Sequence, residues 1–190
     1  MSSYVKVAEY QLPTLSHNPL STAEFEASAV TWNKDTNNLF MLGDSVSFIT
    51  ETTLTGTVLG TTKLAAGSSA QGHGFYDPEG LTYIGGGTLV LTEERYRTAV
   101  QFTHAANTLL TRAQAATVNL GTTVGNIGLE GITYEPLTGG SIFVNETSNS
   151  GDSLQNIFQT QINFRGRHRD DRQLHGGQQH VVVCSRQHCL

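Results

Sequence analysis

A chain of 190 residues is long enough to bury one sizeable core, and 14% charged residues with 20 glycines suit short strands and tight turns better than long helices. The net charge of −5 is unevenly spread: residues 1–163 carry 14 acids and 6 bases, whereas residues 164–190 carry 2 acids and 5 bases. So acidic a body lacks the basic face that a phosphate backbone requires, which argues against nucleic acid and for cations as guests, and no run approaches the ~20 apolar residues of a transmembrane segment.

The opening, Met1-Ser2-Ser3-Tyr4-Val5-Lys6-Val7, has no apolar signal-peptide core. Residues 1–12, ending before Pro13, read as a leading strand of the kind that completes the last unit of a ring. The next words repeat. Glu26-Ala27-Ser28-Ala29-Val30-Thr31-Trp32, Glu79-Gly80-Leu81-Thr82-Tyr83 and Glu130-Gly131-Ile132-Thr133-Tyr134 share a glutamate, a branched aliphatic, a threonine and an aromatic. Their glutamates are 53 and 51 residues apart, close to the ~50-residue blade of kelch-type propellers.

Each anchor leads into a turn and a second apolar strand ending on an acid. These strands are Leu39 to Asp44, Leu89 to Glu93 and Ile142 to Glu146, introduced by Asn37-Asn38, Gly86-Gly87 and Gly139-Gly140. Asn and Gly supply the backbone freedom that a tight reversal needs, so each pair predicts a hairpin. Third and fourth strands follow at Phe48–Glu51 with Gly56–Gly60, and at Ala99–Phe102 with Thr117–Leu120. Residues 107–116 suit either a helical turn or a hairpin loop, and the third unit runs only through Asn156 to Asn163. The expectation is an all-β chain: a partial β-propeller of about three four-stranded blades near residues 24–75, 76–127 and 128–163, with an irregular C-terminal tail.

From Phe164 the blade pattern stops. Five of the eight arginines, four of the seven histidines and both cysteines, Cys184 and Cys189, fall in the last 27 residues. Residues 164–190 therefore read as a disordered or frame-shifted tail. A zinc site of His180, Cys184, His188 and Cys189 is the sharper reading of the same segment, but adjacent His188 and Cys189 are awkward as two ligands of one tetrahedron.

Residues 8–163 resemble the bacterial SdiA-regulated family of six-bladed propellers, which is similar in turn to phytase-like esterase propeller domains. The words that carry the resemblance are Glu26 to Trp32, Leu39 to Asp44, Asp77-Pro78-Glu79-Gly80-Leu81-Thr82-Tyr83, Leu91-Thr92-Glu93-Glu94-Arg95 and Gly125 to Ile132. The resemblance implies a location at the cell envelope or outside the cell, and a chain truncated after about three blades that self-associates through exposed blade edges.

If the anchors open the innermost strands, Glu26, Glu79 and Glu130 form a partial ring of carboxylates, with Asp44, Glu93, Glu94 and Glu146 as further donors. Hard oxygen ligands of this kind suit calcium. The competing reading is structural: a carboxylate beside a small residue at a strand start accepts backbone N–H groups and fixes the turn. Trp32, Tyr83 and Tyr134, with Phe40, Leu89 and Phe143, read as packing between blades. His73, in a glycine-rich loop, has no partner spacing that would make it a catalytic base. Arg95 and Arg97 offer either an anion site or ion pairs with the neighbouring acids. The reading that follows is a propeller module binding a protein or small-molecule ligand, with calcium. The alternative is a phytase-like, metal-dependent phosphoester hydrolase.

Overall fold

A computed structural model describes residues 5–10, 27–43, 48–67, 74–146 and 156–164. Glu26, Asp44, His73 and residues 165–190 of the tail, with its cysteines, lie outside the described residues. No helix among the described residues is long and apolar enough to cross a membrane.

The fold is all-β, built from three sheets. β1 (Ala27–Asn33), β2 (Asn38–Gly43), β3 (Phe48–Thr53) and β4 (Val58–Leu64) form an antiparallel meander, and β5 (Pro78–Gly85), β6 (Thr88–Glu93) and β7 (Thr98–Thr103) begin the second. The turn between β1 and β2 puts Asn37 at φ 60°, a conformation its short polar side chain tolerates. β8 (Thr108–Leu110) leaves the second unit and pairs parallel with β4 of the first. β9 (Ala116–Asn119) then completes the second sheet against β7. β10 (Leu129–Glu135), β11 (Gly140–Asn145) and β12 (Ile157–Thr160) make the third. Among the described residues the sheets thus hold five, four and three strands, the fifth strand of the first being β8.

The ambiguity of residues 107–116 resolves as a three-residue strand followed by a 3₁₀ turn at Arg112–Gln114. This excursion is held at both ends. Asn107 N–H donates to Thr61 O at 2.5 Å, and the Thr62 hydroxyl donates to Ala105 O at 2.8 Å. At the exit, Arg112 donates to Gly74 O and, at 2.5 Å, to Glu93 Oε1, with its guanidinium over the Phe75 ring.

The sheets stack face to face in chain order, β1 against β5 and β5 against β10. Alternation explains why both faces of the middle sheet are apolar. Leu81, Tyr83, Leu89, Leu91, Val100 and Phe102 meet Phe40, Leu42 and Ile49 of the first sheet. Val90 and Ala99, pointing the other way, meet Phe143 and Phe158 of the third. This succession of small sheets with adjacent first strands fits three consecutive propeller blades.

One hydrogen bond recurs at both seams and accounts for the threonine in the repeated word. Tyr83 N–H donates to Thr31 Oγ1 and Tyr134 N–H to Thr82 Oγ1, each at 3.0 Å and across 52 residues. Only the middle aromatic is fully enclosed: Tyr83 stacks on Phe40, while Trp32 is 55% exposed and Tyr134 is half-buried. Phe40, Leu89 and Phe143 are all buried, but the ladders pair them with Thr31, Tyr83 and Ile132, so they occupy three different register positions. The leading segment differs from expectation, since residues 5–10 belong to no ladder and are exposed.

Candidate functional site

The glutamates of the second and third anchors sit on β-bulges. Pro78 pairs with Glu93 and Gly80 with Thr92, leaving Glu79 as the extra residue; Leu129 pairs with Asn145 and Gly131 with Val144, leaving Glu130. A bulge re-aims its side chain, which lifts these carboxylates out of the pleated row. The same irregularity in the first sheet falls between Ala27 and Ala29, at Ser28. Ser28, rather than Glu26, is therefore the register equivalent of Glu79 and Glu130, and the spacing becomes 51 residues at both steps.

Two triplets of carboxylates meet at the seam between the second and third sheets. Asp77, Glu79 and Glu94 form one, and Glu94, Glu130 and Glu146 the other, with the ligand oxygens in each within 4.8 Å of one another. Glu94 belongs to both and is only 2% exposed. The third sheet docks onto its backbone: Leu129 N–H donates to Glu94 O, and Gly128 N–H donates to Glu94 Oε1 at 3.2 Å. Position 128 must be glycine, because a Cβ there would lie 1.9 Å from Glu94 O. Glu146 N–H closes the corner on Gly128 O at 3.0 Å.

The electrostatics follow from crowding acids in a shielded place. Burial, then hydrogen bonding to Asp77, pushes the Glu94 carboxyl up to about 7, against the pull of the Gly128 N–H. Burial, then the charge of Glu146, also raises Glu130. Raised this far, Glu94 holds its proton at mildly acid pH. Asp77, at φ 57°, is additionally held by Arg95, whose Nε donates to Asp77 Oδ2 at 2.5 Å while Nη2 donates to Asn126.

The structure thus brings Glu79, Glu130 and Glu146 together around Glu94, and leaves Glu93 elsewhere. Glu93, the last residue of β6, is fully buried and accepts from Arg112, Tyr76 N–H and the Thr98 hydroxyl. Asp77 is the residue that sequence reasoning missed. Its signal was present in Asp77-Pro78-Glu79, two acids flanking a proline at a strand start.

A family model described as SdiA-regulated matches residues 3–182, nearly the whole chain. The chain belongs to the SdiA-regulated family. As an SdiA-regulated protein it carries its acidic cluster on Asp77 and Glu79 at the start of β5, Glu94 after β6, and Glu130 and Glu146 of the third unit. Arg95 of this protein is engaged by Asp77 and Asn126, and Arg97 is buried at φ 49°.

Proposed function

We propose that this SdiA-regulated protein is a binding module for a protein or small-molecule ligand, and that a calcium ion held by Asp77, Glu79, Glu94, Glu130 and Glu146 fastens the seam between its second and third sheets. The observation that supports this reading is the overlap of two carboxylate triplets on one buried residue, Glu94. The donor set fits the ion: all five groups offer hard oxygens, and calcium accepts six to eight of them in flexible geometry. Asp77, Glu79 and Glu94 come from the second unit, and Glu130 and Glu146 from the third, so a shared cation would crosslink neighbours that otherwise repel. A bound divalent cation supplies positive charge that replaces the proton on Glu94.

The phosphoester hydrolase alternative gains no support. It requires a cation available to an anionic substrate, and Arg95 is committed to Asp77 and Asn126 while Arg97 is buried.

Thermal unfolding with calcium against chelator tests the proposal. A ligand bound by the native state alone stabilises it by about 2.7 kcal/mol at a hundredfold excess over Kd, which raises the melting midpoint by several degrees. The rise is expected to be largest above neutral pH, where Glu94 gives up its proton, and to vanish in a Glu94→Gln variant. An unchanged midpoint at every calcium concentration would sink the cation reading.

A further inference from the structure

The excursion that carries β8 across to β4 is a surface segment with a buried side chain at its root. Between Phe102 and Leu110, both buried, every residue is exposed except His104, whose side chain is only 9% exposed. Its backbone N–H donates to Gly87 O at 2.9 Å, and the next turn rests on Gly60, where a Cβ would come within 2.6 Å of Ala106 Cβ. A segment with so few buried contacts opens at small cost while the sheets beneath it stay closed. His104 seats its near end, as Leu110 seats the far one.

Three strands enclose the imidazole. β2 sets the Phe40 ring edge-on at 4.7 Å, β3 brings Glu51 Oε2 to 3.3 Å from Nε2, and β4 brings Thr62 Oγ1 to 3.1 Å from Nδ1. Nε2 is buried and makes no hydrogen bond of good geometry, and Glu51 is already held through Oε1 by the Asn38 amide at 2.9 Å. The next titratable groups on this side are Tyr83, stacked on Phe40, and Asp35, which accepts from the Tyr83 hydroxyl; Lys63 of β4 turns to the Phe48 ring. A proton added to His104 therefore creates an imidazolium largely cut off from water and faced by one misaligned carboxylate. Burial pulls the group below its ordinary value, outweighing the charge of Glu51, which pulls upward.

We propose that His104 is an acid-sensitive latch: neutral, it seats residues 104–110 on the first sheet; protonated, it leaves its place and β8 parts from β4. Proton linkage sets the sign. The open segment binds the proton at the ordinary value of 6.5 and the closed one only at lower pH, so the closed state is favoured in full above 6.5 and weakens as pH falls below it. The seam at Glu94 responds in the opposite sense, weakening as pH rises through about 7, and shares no residue with the latch.

Amide hydrogen exchange on the full chain in chelator, between about pH 7.5 and about pH 5 and corrected for the intrinsic pH dependence, tests the inference. The reporters are the Asn107 N–H, held by Thr61 O, and the Ala65 N–H, held by Leu110 O. Their protection is expected to fall by up to about tenfold per pH unit below 6.5, while the amides between β6 and β7 keep theirs. His104→Phe, which fills the place with a ring that cannot titrate, flattens the dependence. Glu51→Gln removes the compensating charge and deepens the fall at low pH. Protection between β6 and β7 shows that each variant is folded, and nuclear magnetic resonance of the wild type follows the imidazole directly. The latch is overturned by reporter protection that stays flat in the wild type, by a His104→Phe chain that loses it as the wild type does, by a shallower fall in Glu51→Gln, or by an imidazole titrating at or above 6.5.

Discussion

Glu94 shows how one side chain acquires properties that its letter does not announce. The sequence offers the adjacent Glu93 and Glu94 alike as oxygen donors. They part at the end of β6: Glu93, its last residue, meets Arg112, while Glu94, the first of the following turn, meets Gly128 and four other acids. Because burial raises its folded pKa from 4.5 to about 7, the native state binds the extra proton between those values. Stability from this group is accordingly full near the lower value and lost as pH rises through about 7. Glu94→Gln keeps an acceptor for Gly128 and a donor for Asp77 while removing the charge. It is expected to stabilise the cation-free protein above neutrality by on the order of 1 kcal/mol and to flatten the pH dependence, read from urea midpoints across pH. A variant that is destabilised above neutrality would show that the ionised carboxylate is what the seam requires.

Between elements, the repeated threonine is the most informative position. A Thr before an aromatic looks like ordinary strand composition. Its role emerges only when the next sheet brings an aromatic N–H against the hydroxyl, at Thr31 with Tyr83 and at Thr82 with Tyr134. Thr82→Val keeps the shape and strand preference and strands the Tyr134 N–H at the seam, so a loss of about 1–3 kcal/mol in chemical denaturation is expected. A neutral substitution would reduce the contact to mere proximity. The hairpins, their order and their turns were legible because strand and turn chemistry is local. The bulges were not: an alignment on glutamate identity picks Glu26, whereas pairing with β2 puts the irregularity at Ser28. β8 was equally hidden, since a three-residue strand gets its partner from a sheet more than 40 residues earlier.

Across the molecule, the sheets are tied by more than stacking. The excursion that carries β8 from the second unit to the first ends on Arg112, which holds Gly74 O and the fully buried Glu93. Arg112→Ala would leave that carboxylate uncompensated in the interior, and breaking a buried pair in this way costs about 3–5 kcal/mol. The measurement is the denaturation midpoint of the variant beside an Arg112→Ala, Glu93→Gln double variant, which should recover part of the loss. Failure to recover would place the effect in packing against Phe75 instead.

The amino-acid order by itself determined the all-β class, the three-fold repeat, its hairpins and the family, because alternation, turn residues and a fixed period are written along the chain. It also supplied most of the acids of the seam. The tertiary structure alone decided which of them converge, which one is buried, and that Asp77 joins them. Those outcomes depend on bulge positions and on the docking of Gly128 over Glu94, contacts between residues far apart in sequence that no local pattern encodes.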